Sequence, residues 1–413
     1  MKVLAVNCGS SSLKFRLSET PSEPSGREDW SAWGVVDGVG GRGMLDFSTE
    51  NGTSLRERAE VSDHGEAVGR TLGWLGEVGF VGDLEAVGHR VVDGGDRFAG
   101  PVLIDDEVVA AIEELKELAP LHNGPSLAAI RAAREALGAS VPMVATFDTT
   151  FHRTMPKKAS RYAIPPELAS KHDAYRYGFH GLAHRYMAER YAAVTGSRSE
   201  DLKLVTLQLG NGCSAAAIEA GRSVDTSMGL TPLEGLMMGT RSGDVDPSLP
   251  GYLARREGVE IEEVVDWLNR RSGLLGVSGV SRNMREVLDA RDGGDGRAAL
   301  AVEMFCYRIK KQVGAYLAAL GGADAVVFAG GIGERAPEVR AEICAGMEWC
   351  GLLLDAGRNA GAVGGETKIS ADGAWIEAYV LLVDEAGIIA RDTVELLRPR
   401  DGTPTSRRPP MGS

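Results

Sequence analysis

No apolar run in the 413 residues approaches the length of a membrane span, so nothing in the chain asks for a bilayer. Cysteine is scarce. The five (Cys8, Cys213, Cys306, Cys344 and Cys350) form no C-x-x-C pair and no metal-finger spacing, which predicts free thiols in a reducing compartment. Cys8 and Cys213 stand in tight turns with no histidine beside them in sequence, and read as packing residues rather than nucleophiles. Basic charge is also short: the net charge is −13, which excludes the broad basic face a phosphate polymer requires but leaves room for a small phosphorylated ligand. No G-x-x-x-x-G-K-[ST] run occurs, so a P-loop is excluded. The chain opens on a strand pattern without a secretory leader, and the expected location is cytoplasmic. No repeat of solenoid length is present, and the polar, proline-interrupted end predicts a frayed tail over 399–413.

Two segments far apart share one design. Val3 to Val6 is an apolar strand that breaks into Asn7-Cys8-Gly9-Ser10-Ser11-Ser12 and resumes as Leu13-Lys14-Phe15. Leu204 to Leu209 does the same through Gly210-Asn211-Gly212 into Cys213-Ser214. Glycine in such turns lets the backbone approach a ligand, and the amides can hold an anion. Two of them, each opening a β-rich half, predict a duplicated α/β fold with a nucleotide bound between the halves.

The length favours two domains. The first is expected over 1–150, completed by a C-terminal helix over 386–398, and the second over 151–385. Strands run to about Ser48, followed by mixed polar sequence. Ala86 to Val92 is a strand that delivers His89 and Arg90 into the loop Asp93-Gly94-Gly95-Asp96. Helical spacing covers Glu107 to Leu118 and Ser126 to Leu137, and Pro142 to Phe147 is a buried strand ending on Asp148. Further on, helices are expected at Arg185 to Thr195, Ile261 to Asn269, Arg297 to Leu320 and Ala386 to Leu397. Strands are expected at Ala325 to Ala329 and Ala378 to Val383. The alternation indicates an α/β layer rather than a sandwich.

Gly331-Ile332-Gly333-Glu334-Arg335-Ala336 fits G-x-G-x-x-A between a strand and a helix, with Asp355 downstream. Tight helix packing explains it as well as a dinucleotide site does. The loop Met238 to Pro247 concentrates Arg241 among glycines and hydroxyls; a solvated turn is the plain reading, and a guanidinium fork on a phosphoryl group the functional one. Arg90 admits the same role. His180, between Phe179 and Gly181, taken alone reads as a satisfied core histidine.

Taken together these blocks resemble the acetate kinase family of the acetate- and sugar-kinase/actin superfamily. The resemblance runs from Asn7 to Phe15 through Gly88 to Val92, Ala119 to Asn123, Phe147 to Thr149, Tyr177 to Gly181, Asp225 to Gly235, Gly239 to Asp244 and Gly331 to Glu334, ending at Ile388 to Thr393. It implies two RNase-H-like domains that close on Mg-ATP, a homodimer, and reversible phosphoryl transfer from ATP to acetate or propionate. By position, Asn7 and Glu385 would organise magnesium (manganese is an alternative), and Arg90 and Arg241 would hold acetate and the transferring group. His180 would bind that group's equatorial oxygens, and Asp148 would orient the acceptor or its arginine. Val92, Leu121, Phe179 and Pro232 would receive the methyl group. Ser10, Ser12, Lys14, Gln208, Gly210, Asn211 and Gly212 would cradle the phosphates. Asn283, Met284, Arg285, Gly331, Gly333 and Arg335 would border the adenosine.

The chain departs from the family at several places. Gln208 and Asp93 stand where the family has histidines, Asn283 where it has Asp, and Arg335 where it has Asn. Leu382-Val383-Asp384-Glu385 lacks the usual Pro-Thr, so the metal carboxylate is either Asp384 or Glu385. These changes leave open a pyrophosphate- or GTP-linked acyl kinase, or a nucleotide-binding regulator without turnover.

Overall fold

A computed structural model describes residues 1–19, 30–117 and 120–398, apart from the side chains of residues 117 and 120–122. The tail expected over 399–413 lies outside the described residues, as does the Leu121 side chain. The chain divides into two compact units, Met1–Thr150 with the segment beginning at Asp384, and Phe151–Val383.

In the first unit the described strands are β1 (Lys2–Cys8), β2 (Ser12–Glu19), β3 (Trp30–Asp37), β4 (Gly41–Thr49), β5 (Ser54–Val61), β6 (Ala86–Val91), β7 (Val102–Leu103) and β8 (Met143–Phe147). They form one sheet in the order β5-β4-β3-β2-β1-β6-β8-β7. β1 runs antiparallel to β2 but parallel to β6, and β6 parallel to β8. The second unit contains β9 (Lys203–Leu209), β10 (Cys213–Glu219), β11 (Arg222–Thr226), β12 (Ala325–Ala329), β13 (Thr367–Lys368) and β14 (Glu377–Val380), ordered β11-β10-β9-β12-β14-β13. Here β9 is antiparallel to β10 and parallel to β12, and β12 is parallel to β14. Each unit therefore has an antiparallel meander on one side of a central strand (β1 or β9), and on the other two parallel strands followed by an antiparallel edge strand. That is the duplicated α/β core expected of RNase-H-like domains.

The central strands read as unbroken apolar runs because both faces are covered. On one face of the first sheet Leu4, Val6, Phe15, Phe47 and Val87 pack with residues of the His64–Glu77 and Pro120–Leu137 helices. On the other, Val3 and Ala86 pack against Ala390 and Val394 of the Glu385–Leu397 helix. That helix lies so close to β6 that a Cβ at Gly88 would collide with the Thr393 hydroxyl and sit 2.6 Å from Ile389 Cγ2. Gly88→Ala is accordingly expected to destabilise the fold by about 1–3 kcal/mol through overpacking. Urea unfolding checks this, and an unchanged midpoint would show that the helix yields freely.

The structure extends or trims several expected elements. The polar stretch after Ser48 contains β5 and the His64–Glu77 helix. β5 is an edge strand carrying Arg56, Glu57, Arg58 and Glu60, with only Val61 buried, so it lacks the alternation that marks a strand in sequence. The helix starts where the Asp63 side chain accepts the Glu66 N–H at 2.9 Å. The expected helix from Glu107 is Asp106–Glu114 followed by a 3-10 turn, Leu115–Glu117, and the one from Arg185 begins earlier, at Gly181.

Candidate active site

In the first unit the residues at the C-terminal ends of β1, β6 and β8 meet. Arg90 Nε donates to Asp148 Oδ1 at 3.0 Å and Arg90 Nη2 to Asp148 Oδ2 at 2.5 Å, a bidentate pair with Asp148 fully buried. Arg90 Nη1 donates to Asn7 Oδ1 at 2.9 Å, and Asn7 Nδ2 donates to Glu385 Oε2 at 2.6 Å. Burial opposes the Arg90 charge, but Asp148 and then Glu385 hold its pKa well above the ordinary arginine value. Asp384 is spent elsewhere: its Oδ1 accepts the Gly387 N–H at 3.2 Å, capping the last helix, and faces Arg16 at 3.2 Å. Of the two candidate carboxylates, Glu385 is the one beside Asn7.

Asp93 is completely buried. Its Oδ1 accepts the Gly95 N–H at 2.8 Å, and its backbone is clamped by Asn123, which accepts from Asp93 N at 3.0 Å and donates to Asp93 O at 2.9 Å. Oδ2 has no partner among the described residues. Burial, then repulsion from Asp148 and Asp96, pushes its pKa up to about 6. Between its unfolded value near 4 and about 6, the folded protein binds a proton that the unfolded chain releases, so stability falls as pH rises through that window. Above it the loss is on the order of 3 kcal/mol. Asp93→Asn keeps the Gly95 acceptor and cannot ionise. It is expected to be more stable than the parent at about pH 8, with the gain vanishing toward pH 4. Urea midpoints at both pH values check this, and a pH-independent difference would uncouple Asp93 from folding.

In the second unit the β9–β10 turn lies against His180 and Arg241. A Cβ built on Gly212 would stand 3.4 Å from His180 Cε1, 3.5 Å from His180 Nε2 and 3.6 Å from Arg241 Nη1. Gly239 N donates to Asn211 O at 3.0 Å, which ties the Arg241 loop to the turn. Arg241 Nη1 donates to Pro232 O at 3.0 Å and approaches Met238 Sδ at 3.5 Å. Among the described residues no carboxylate pairs with Arg241, and burial lowers its pKa. This is a partly buried cation with neutral partners.

His180 is one of three non-glycine residues at positive φ among the described residues, with φ 57°. L-residues seldom adopt that conformation, and it concentrates at functional sites. Three side chains missed by sequence reasoning hold it. Ser214 Oγ lies 2.9 Å from His180 Nδ1, His184 Nε2 lies 2.8 Å from the same Ser214 oxygen, and His152 Nε2 donates to Phe179 O at 3.1 Å. His184 was findable, because it stands one helical turn after His180.

Phe179 and Val92 are buried and Pro232 half-buried. Cys8 and Cys213 are buried thiols whose pKa burial pushes up to about 12, as packing residues rather than nucleophiles. In the short Gly330–Arg335 helix, Gly331 and Arg335 are exposed and Gly333 buried. Asn283 caps its helix by accepting from Arg285 N at 3.0 Å; Asn283 and Arg285 are exposed while Met284 is buried. Gln208 Oε1 is buried without a partner among the described residues. Ser10 and Lys14, in the first unit's hairpin, are exposed and Ser12 half-buried. The dinucleotide reading loses its support: β12 lies inside the sheet after the β9–β11 meander, and Asp355 caps a helix by accepting the Arg358 N–H at 2.8 Å.

No group of three or more His, Cys, Asp or Glu side chains among the described residues forms a metal cage. A magnesium ion arriving with a nucleotide needs only one or two carboxylates, water and phosphate completing its octahedron. Glu385 beside Asn7 fits that demand.

Comparison with known proteins accords with the fold. The acetokinase family profile matches residues 2–391. The acetate kinase of Chloroherpeton thalassium is 47% identical over 409 residues, covering 95% of this chain and 98% of that protein. The crystal structure of Porphyromonas gingivalis acetate kinase superposes with a TM-score of 0.87 at 41% identity, covering 96% of this chain and 100% of that one. A propionate kinase from Francisella tularensis subsp. tularensis SCHU S4 gives a TM-score of 0.88 at 36% identity, covering 95% and 99%. With matches spanning almost its whole length, the chain belongs to the acetokinase family.

Proposed function

We propose that this protein transfers the γ-phosphoryl group of ATP to acetate, reversibly and in line, giving acetyl phosphate and ADP. The observation that carries the reading is Arg241, a partly buried guanidinium whose partners among the described residues are neutral and which stands beside His180 at the Gly210-Asn211-Gly212 turn. A cation kept without a counter-charge is arranged for an anion that arrives.

Acetate at neutral pH is already an anion and needs no general base. The barrier is its repulsion from the triphosphate, which positioned positive charge offsets. Arg90, oriented by Asp148, holds the carboxylate, and Arg241 holds the transferring phosphoryl group. His180 contacts that group's equatorial oxygens. The glycines around Asn211, with Gln208, Ser10, Ser12 and Lys14, take the phosphates; Asn283, Arg285, Gly331 and Arg335 border the nucleoside. Val92, Phe179 and Pro232 receive the methyl group. Glu385 with Asn7 would hold magnesium, which when bound neutralises phosphate charge. Cytoplasmic location and homodimerisation belong to the same reading: Trp349 and Trp375 are 76% and 83% exposed, apolar surface that a second copy would cover. Among the described residues no helix is long and apolar enough to cross a membrane.

Trapping acyl phosphate as hydroxamate tests the reading, with acetate and propionate as acceptors and ATP, GTP and pyrophosphate as donors. Product with Mg-ATP and acetate, lost on chelation of the metal, is the expected result. One extra methylene changes preference by only about 10–200-fold, so the acetate-to-propionate ratio is measured in the same assay. ATP binding without product from any donor would replace the enzyme with a regulator.

A further inference from the structure

Behind His180 lies a chain of buried hydrogen-bonding groups that phosphoryl transfer does not itself require. Thr206 Oγ1 is 2.8 Å from His184 Nδ1, His184 Nε2 is 2.8 Å from Ser214 Oγ, and Ser214 Oγ is 2.9 Å from His180 Nδ1. Thr206, His184 and Ser214 are each fully buried. A second clamp acts from the other side of the Phe179–His180 bend. The Phe179 carbonyl can only accept, so His152 carries its proton on Nε2, and neutral Nδ1 accepts from Ser223 Oγ at 2.8 Å. Burial pushes the His152 pKa down to about 4. Burial and the neighbouring His152 and His180 hold His184 well below the ordinary histidine value, so both supporting rings are neutral at physiological pH.

A neutral ring has one donor and one acceptor nitrogen, and a hydroxyl has one proton, so the chain has a direction. The Thr206 hydroxyl faces the Ala216 carbonyl at 3.5 Å, which can only accept. With its proton there, the Thr206 oxygen accepts from His184 Nδ1–H. His184 Nε2 then accepts the Ser214 proton, and the Ser214 oxygen accepts from His180 Nδ1–H. The opposite direction leaves the Ala216 contact unused and turns a His180 Nε2–H toward the Arg241 side of the turn.

We propose that Ser214 is a positioning residue which, through His184 and Thr206, fixes the proton of His180 on Nδ1 before substrate arrives and leaves the Nε2 lone pair on the side of the Gly212 turn and Arg241. His180 then donates to a phosphoryl oxygen only after Nε2 gains a proton, so that engagement of the phosphate is coupled to proton uptake at that atom. This inference rests on the phosphoryl-contacting role assigned to His180 above.

The test is ring-tautomer NMR on the full-length protein labelled at histidine, without ligand, at about pH 8, together with steady-state kinetics of Ser214→Ala and Ser214→Thr. Expected are an Nδ1–H tautomer for His180 in the parent, its loss in Ser214→Ala, and its return in Ser214→Thr. In parallel, kcat of Ser214→Ala should fall by about 10-fold to 10²-fold at little change in the acetate KM, with partial recovery in Ser214→Thr. An Nε2–H tautomer in the parent would overturn the proposal, as would an unchanged tautomer in a folded Ser214→Ala protein. If Ser214→Ala does not fold, the parent spectrum and Ser214→Thr still decide. The tautomer is read without turnover: a parent that makes no acyl phosphate yet shows His180 Nδ1–H would count against the proposed function and not against the chain.

Discussion

Arg241→Ala is expected to lose about 10²–10³ in kcat while its thermal unfolding stays close to that of the parent. The asymmetry follows from the partners. Arg241 makes one hydrogen bond to the Pro232 carbonyl and a long contact to the Met238 sulfur, and burial works against its charge. Among the described residues its removal breaks no ion pair and strands no carboxylate, so the fold loses little. In the proposed role, the transition state loses a charge aimed at the phosphoryl oxygens. Arg241→Lys keeps the charge but not the planar fork, and should fall between. Kinetics beside a melting curve check this; near-normal turnover in folded Arg241→Ala would remove the phosphoryl-clamp role.

Asp148→Ala should behave differently and lose both properties. Asp148 is fully buried and takes two hydrogen bonds from Arg90, whose side chain is only 12% exposed. Taking away one partner of such a pair leaves an uncompensated buried charge and costs about 3–5 kcal/mol. It also frees Arg90, which keeps one side-chain hydrogen bond among the described residues, to Asn7 Oδ1 at 2.9 Å, and the more distant charge of Glu385; if Arg90 holds acetate as proposed, acetate binding and turnover fall together. A double variant, Arg90→Met with Asp148→Leu, is expected to recover much of the stability and none of the activity, because an apolar pair removes the stranded charge. Urea unfolding of the two variants decides the matter: a double variant as unstable as Asp148→Ala would mean that the ion pair is not where the stability resides.

These two residues also mark how far the sequence could be read. Arg90 and Arg241 stand out because each follows a short, unusual local pattern, and the structure shows each charge held in place. The two hairpin turns were visible as apolar strands interrupted by glycine, serine and asparagine, since strand periodicity and turn chemistry act over a few residues. β5 was hidden because an exposed edge strand needs no apolar face, and the long helix after it because its first turn follows polar sequence. Ser214 sat within a recognised turn, but nothing near it in the chain announced a histidine partner 34 positions away.

The chain by itself determined the duplicated α/β core and the two glycine-, serine- and asparagine-rich hairpin turns, set by local propensity and apolar patterning, and singled out Arg90 and Arg241. Only the tertiary structure decided which charges are compensated. It brought Asn7 to Glu385 across 378 positions and made Asp384 a helix cap; it gave Arg90 to Asp148 across 58 positions and, among the described residues, left Arg241 without a carboxylate. It also buried Asp93 deeply enough to favour its neutral form. The reason is physical. Charge state and pairing depend on what surrounds an atom within a few ångströms in three dimensions, and sequence spacing carries that information only for residues that share a turn or one helical face.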